Sequence, residues 1–385
     1  MQALAELTAL PGVGDALASF ERDQDAIVAQ IVRIQQIPAP TFDEAARARY
    51  VAAQFAERGL ADVDHDRLHN VFARLPGRQT GTPLVISAHL DTVFPAGTDL
   101  AVRRENGRIY GPGIADNSTA VAALLVLVDA LRANGLQPAG DVWLVANVGE
   151  EGLGDLRGMR AVVKRFGSAA RYIVLEGGLF GQVLHRAIAV SRHRIEVHTG
   201  GGHSWKNFGR PSAVHELGRI ITAIADIKVP QQPWTTFNVG VIEGGTSINT
   251  IAPFAALQLD LRSEVTAHLD QLRAEVAAIV ARSAAQDGLQ VVMNEIGNRP
   301  AGASPRSAPL VRLAEAALRS VGRKKVAFTT GSTDANIPLS RGYDAVCIGL
   351  AVGRNAHRLD EYLETSELAH GLGQLLLLTL AAANL

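Results

Sequence analysis

Seven side chains able to bind metal or move protons fall at the ends of apolar runs. "PLVISAHLD" closes on His89 and Asp91, "VWLVANVGEEG" on Glu150 and Glu151, and "YIVLEGG" on Glu176. "DAVCIGLAVGRNAH" delivers His357 in the loop after its run, and "YGPGIADNSTA" sets Asp116 just before a helix start marked by Asn117, Ser118 and Thr119. Imidazole nitrogen and carboxylate oxygen suit Zn²⁺, Mn²⁺ or Co²⁺, and a shared carboxylate holds two such ions roughly 3.5 Å apart for hydrolytic chemistry. Residues two apart in an extended strand point to the same side, so His89 and Asp91 share a face while Leu90 packs on the other. Asp91 is then placed to hydrogen-bond the far nitrogen of His89 and fix its tautomer. Glu150, beside a ligand without being one, is placed to take a proton from a water between the ions.

Each residue alone has a plainer reading. His89 could cap a strand, Asp116 could be an ordinary N-cap, and Glu150-Glu151 could be a solvated turn. Glu176 is harder to place this way, because a charge closing an apolar strand is costly unless paired or bound to a cation. What favours the cluster is coincidence: two imidazoles and three carboxylates collect where strands end, with two acidic residues left over for supporting roles.

These residues need a sheet to hold them. "PLVISAHL", "DVWLVANV" and "RYIVLEG" read as strands, and "STAVAALLVLVDALRANG" between them reads as a helix with Val121, Leu124, Leu125, Val128 and Leu131 on its apolar positions. Upstream, "DQDAIVAQIVRIQQ" is helical, and "TFDEAARARYVAAQFAERG" opens with a capping box of Thr41 and Glu44. The alternation predicts an α/β domain with a mostly parallel sheet flanked by helices, whose ligands collect at the carboxyl ends of its strands. From residue 187 the texture changes to β-α-β-β-α-β, the split pattern of a ferredoxin-like α+β insert. After "GNRPAGASP" the α/β pattern resumes with a helix near 308 to 321, "KVAFTT", "YDAVCIGL" and a long helix from about Thr365. The expected organisation is a discontinuous catalytic domain, residues 1–186 and 298–385, interrupted by a lid or dimerisation domain at 187–297.

Length, 385 residues, fits two or three cores. Hydrophobic residues at 47% and charged ones at 19% describe an ordinary globular chain, and a net charge of -1 offers no field for nucleic acid or an anionic membrane. A single cysteine, Cys347 within "YDAVCIGLAV", excludes a disulfide framework and points to a reducing compartment. The N-terminus has no basic region followed by a long apolar one, so no signal peptide is read, and no uncharged apolar run reaches the roughly 20 residues of a membrane span. A cytoplasmic protein acting on a small partner is the expectation.

The combination "HLDT", "GPGIADN", "GEEG", "LEGG" and "NAHRLDEYL" resembles the co-catalytic dizinc metallopeptidase family that includes peptidase T, glutamate carboxypeptidase, aminoacylase, acetylornithine deacetylase and succinyl-diaminopimelate desuccinylase. The likeness covers nearly the whole chain, including the insert. It implies two divalent ions, Zn first and Co or Mn as substitutes, bridged by Asp116. His89 and Glu176 would complete one site and Glu151 and His357 the other, with Glu150 as general base and Asp91 as orienting residue. In the insert, "GGHSWKNFGRP" would make His203 an oxyanion stabiliser reaching a neighbouring active site across a homodimer. "GGTSINTIAP" would turn Asn249 towards substrate, and Arg262 in "LQLDLRS" lies on the polar strand face, where it could clamp a carboxylate. "GSTDANIPLSRG" resembles a cleft loop in which Ser332, Thr333 and Asp334 shape substrate binding.

The implied reaction is metal-assisted amide hydrolysis, most simply of di- or tripeptides by an exopeptidase. Glu176 stands where peptidase T and its close relatives usually carry aspartate, which is more like the deacylase and carboxypeptidase branches, whereas "IPAPTFDEAARARYVAAQFAERGL" looks more like the tripeptidase side. The alternative is therefore an N-acyl-amino-acid deacylase. A non-catalytic binding protein is disfavoured by the complete ligand set. A nucleotide-binding enzyme, suggested by the glycines of "GRIYGPGIADN", lacks the dinucleotide fingerprint and would set Asp116 against a pyrophosphate. The family also often has a cis peptide after the bridging aspartate, here Asp116-Asn117. His65, His69, His185, His193, His198, His215, His268 and His370 are read as structural.

Overall fold

Alternation along single strands builds a sheet between two apolar layers. In the computed structural model, which describes residues 2–384, the large sheet uses β1 (Ala61–His65), β2 (Val71–Leu75), β3 (Leu84–His89), β4 (Val142–Asn147), β5 (Arg171–Glu176) and β6 (Gln182–Ala187). All six residues of β3 are buried. Leu84, Ile86 and Ala88 join one apolar layer and Val85 the other, as period-two geometry requires of a strand covered on both faces. Leu90 belongs to the first layer, which leaves His89 and Asp91 together on the opposite side.

Between β6 and the return of the chain lie β7 (Ala189–Thr199), β8 (Thr235–Gly244), β9 (Phe254–Ser263) and β10 (Leu289–Arg299); β11 (Ala327–Gly331) and β12 (Ala345–Gly349) then rejoin the large sheet. Its order is β1-β2-β4-β3-β5-β12-β6 followed by the short strand Gly302–Ala303, with β11 also paired to β6. The centre, β4-β3-β5-β12, is parallel. The expected parallel sheet thus forms the centre, and antiparallel pairs are added at its margins, at β1-β2, β2-β4, β12-β6 and the 302–303 strand. Because the central strands run the same way, His89 pairs with Asn147, and Glu176 with Gly349, at one edge. That shared edge is where ligands gather in such sheets.

The helix Thr119–Ala133 is apolar nearly all round, since its residues pack inside the fold. With the turn before it, Ile114–Ala133 is long and apolar enough to cross a membrane by composition, yet 83% of its apolar window is buried in the protein. The expected capping box does not form. The helix at Ala45–Glu57 starts after Glu44 with no side-chain cap; Thr41 instead donates its hydroxyl to Asp91 at 2.9 Å, and both Glu44 oxygens take Arg157. Tertiary partners, one a buried carboxylate, outcompete the local cap.

The chain divides into two compact units, one being Ile188–Ala301 and the other the chain on either side of it. The inserted unit has an antiparallel sheet in the order β8-β9-β7-β10. The helices Ala213–Ala225 and Thr266–Ala284 pack on one of its faces, giving the β-α-β-β-α-β element order. Ile195, Val197, Leu257, Leu259 and Leu261 form its core with Leu217, Ile220, Leu272 and Val276 from the helices.

Candidate metal centre

At the rim of the parallel strands, five of the expected ligands form two groups that share one residue. His89, Asp116 and Glu176 make the first and Asp116, Glu151 and His357 the second, with ligand atoms in each group within 4.8 Å of one another. Asp116 divides its oxygens between them: Oδ1 lies 3.2 Å from His89 Nε2, and Oδ2 lies 3.3 Å from His357 Nε2. His357 Nε2 is also 3.1 Å from Glu151 Oε1, and His89 Nε2 is 3.9 Å from Glu176 Oε2. A carboxylate with one oxygen facing each of two nitrogen- and oxygen-rich groups is what a bridging ligand requires.

The strands supply His89 and Glu176 directly, at the last residues of β3 and β5. Asp116 comes from a loop sutured to β5: Asn117 donates to Leu175 O at 2.9 Å and accepts the N–H of Gly177 at 2.8 Å. The peptide between Asp116 and Asn117 is cis. A side chain at Gly177 would put its Cβ 1.9 Å from the Ala115 carbonyl, so the first glycine of "LEGG" lets this loop lie against the strand end. Glu361, absent from the sequence-derived set, accepts the backbone N–H groups of Gly113, Ala115 and Asp116 from the other side.

Asp91 does more than face its histidine. His89 Nδ1 is 3.1 Å from the Asp91 backbone carbonyl and 3.5 Å from its carboxylate. The carboxylate oxygens accept the N–H groups of Glu150 and Glu151, each at 3.0 Å, together with the Thr41 hydroxyl. One buried acid thus fixes the turn that carries both glutamates. Arg47, 2% exposed, donates to the carbonyls of Gln35, Ile37 and Leu90, the last lying between His89 and Asp91.

The electrostatics are those of a crowded acidic pocket. Burial opposes charge on His89, but the hydrogen-bonding carboxylates of Asp116, Asp91 and Glu176 outweigh it and hold the imidazole well above its usual pKa. His357 is raised to about 10 by Asp116 and Glu151. Burial pushes Glu176 up to about 7 despite His89. Asp116 is lowered, its hydrogen bonds to His357 and His89 overcoming burial. Buried carboxylates gathered on two imidazoles fit a pair of divalent cations, which would take the place of the imidazole protons. The donor set is nitrogen and oxygen only, with Cys347 buried and its thiol pushed well up by burial.

The other residues singled out in the sequence sit in varied surroundings. Glu150 is 6% exposed beside Glu151. Asp334 is fully buried, its Oδ2 accepting from Asn147 Nδ2 at 2.6 Å at the end of β4. Thr333 is buried and Ser332 half-buried in the same loop. In the inserted unit, His203 and Asn249 come together where Gly202–His203 pairs with Thr250–Ile251, and Ser204 N–H donates to Asn249 O at 3.0 Å. Both are exposed, next to Trp205, Phe208 and Ile248, which are 86%, 91% and 103% exposed. Arg262 is on the half-buried polar side of β9, with Nε on Asp260 Oδ2 at 2.6 Å. Thr41, Arg47, Asn117 and Glu361 are the supporting residues whose roles spacing does not reveal, although Asn117 and Glu361 stand inside the motifs "GPGIADN" and "NAHRLDEYL".

Comparison with known proteins places this arrangement. The sequence profile described as Peptidase family M20/M25/M40 matches residues 85–380. A peptidase M20 domain-containing protein of Schizosaccharomyces pombe is 30% identical over 204 residues, which is 50% of this chain and 48% of that protein, so the match spans about half of each. A succinyl-diaminopimelate desuccinylase of Bradyrhizobium is 26% identical over 336 residues, covering 82% of this chain and 85% of the other. Among solved structures, a Staphylococcus aureus tripeptidase superposes with a TM-score of 0.78 at 20% identity, over 93% of this chain and 98% of that one.

Proposed function

The chain belongs to peptidase family M20/M25/M40, and from that membership we propose that it is a dinuclear-metal-dependent hydrolase of amide bonds in small substrates, an exopeptidase of di- or tripeptides. The observation that carries this reading is the division of Asp116 between two ligand groups with Glu150 next in sequence to one ligand. Bound there, two divalent ions, Zn²⁺ in the first instance, supply Lewis acidity that brings a water's pKa towards about 7 and polarises an amide carbonyl. His89, Asp116, Glu151, Glu176 and His357 hold them. Glu150 takes a proton from the attacking water and returns it to the leaving amine. Asp91 keeps Glu150 in place through its backbone N–H. His203 is assigned to the developing oxyanion, Asn249 and Arg262 to substrate polar groups, and Ser332 and Asp334 to the shape of the binding region.

Deacylation of N-acyl amino acids is the second reading, favoured by Glu176 in place of aspartate and by the desuccinylase relative. A panel of dipeptides, tripeptides and N-acyl amino acids, offered to metal-free protein with Zn²⁺, Mn²⁺ or Co²⁺, separates the two. Release from free-N-terminus peptides alone is expected; release from acylated substrates alone would replace the peptidase reading with the deacylase one.

The inserted unit supports a homodimer. β8 is an edge strand of its sheet, with Val241 49% and Ile242 65% exposed, and an edge of this kind invites pairing. Sedimentation equilibrium should give twice the mass of one chain, and a Val241→Lys, Ile242→Lys variant should give one. A wild-type monomer at micromolar concentration would end the dimer reading, and with it a role for His203 across subunits.

A further inference from the structure

The loop "GPGIAD", residues 111–116, is gathered around a single residue of its own chain. Glu361 is 0% exposed. Its Oε1 accepts the N–H groups of Ala115 at 2.8 Å and Asp116 at 2.9 Å, its Oε2 accepts that of Gly113 at 3.1 Å, and its backbone carbonyl accepts that of Gly111 at 2.9 Å. Backbone N–H groups converging in this way make an anion cradle. The glycine pattern that hinted at phosphate binding therefore encloses a carboxyl group of its own chain, that of a glutamate. Gly113 adopts φ +70°, and a Cβ there would lie 2.8 Å from Thr92 Cγ2, so the cradle also needs its glycine.

Glu361 lies one turn beyond His357. That turn is closed by Asp360, which accepts from Asn355 Nδ2 at 2.9 Å and Arg358 Nε at 2.8 Å, and by the Glu361 N–H on Arg358 O at 3.0 Å. The His357 side chain is 54% exposed, so packing alone does not register it against Asp116. The Asp116 loop is thus held from two sides: Asn117 ties it to the strand bearing Glu176, and Glu361 ties it to the turn bearing His357. We propose that Glu361 is a positioning residue that sets Asp116 against His357 and thereby the affinity of the Asp116–Glu151–His357 group for its ion. The assignment rests on the dinuclear reading above.

Calorimetric titration of metal-free wild type and Glu361→Gln with Zn²⁺, alongside circular dichroism, tests it. The amide keeps the shape but points an N–H₂ at a backbone N–H. One ion should bind at least tenfold more weakly than in wild type, while the ion of the group braced by Asn117 keeps its affinity within about threefold. Glu361→Asp, which keeps the carboxyl group but withdraws it by a methylene, should give the same selective loss and serves if the glutamine variant does not fold. Hydrogen exchange on metal-free wild type needs no variant: the Gly113, Ala115 and Asp116 amides should be protected. Unchanged affinities in a folded variant, or fast exchange at all three amides, would overturn the proposal. Wild type that binds two ions but cleaves no amide would sink the hydrolase reading and leave these binding results standing; wild type that binds fewer than two ions would overturn both.

Discussion

On the proposed reading Asp116 holds the ions and Glu150 moves the proton, and their neighbours make the division testable. Glu150→Gln should retain both ions and lose about 10² to 10⁴-fold in kcat, the usual contribution of a positioned general base. Glu151→Ala should lose an ion, read by elemental analysis after dialysis, because Glu151 completes a group that otherwise keeps only Asp116 and His357. Near-native turnover in the first variant, or two ions retained in the second, would mean the two glutamates have been assigned the wrong way round. The residues that present ligand atoms were legible because their chemistry is rare at the ends of apolar runs. Thr41, Asn117 and Glu361 were not, because they act on backbone N–H and C=O groups or on another acid, through contacts that close only on folding. Thr41 misled outright: its spacing to Glu44 matches a helix cap, and its hydroxyl goes to Asp91.

Among the elements, the central strands were readable because burial on both faces demands continuous apolar residues, as in β3. The antiparallel margins were not. β1, "ADVDH", carries no buried residue, and β2 is five residues long, so neither offers a clear period. What joins the N-terminal helices to the site is Arg47 on the helix Ala45–Glu57, a buried cation whose pKa burial lowers to about 10, leaving it charged at neutral pH. Arg47→Met should cost roughly 3 kcal/mol, about 1 for each of the three carbonyls left unmet, measurable by urea unfolding of the metal-free protein. It should also weaken metal binding, since one of those carbonyls, Leu90 O, sits between His89 and Asp91. A loss below about 0.5 kcal/mol would show that the bracket is dispensable.

At the scale of the whole molecule, two compact units share one chain, and the acidic pocket belongs to the discontinuous one. Its carboxylates converge on two imidazoles, so the fold carries a concentration of negative charge that divalent cations would relieve. Activity and metal should therefore be inseparable. The most direct measurement is amino-acid release from a cleaved dipeptide or tripeptide by protein stripped with chelator, then titrated with Zn²⁺, Mn²⁺ or Co²⁺ while bound metal is counted. A dinuclear mechanism predicts no release from the stripped protein and recovery that rises to a plateau as two ions per chain bind. Full activity in the stripped protein, or recovery complete with an ion that Asp116→Ala still binds and uses, would contradict it.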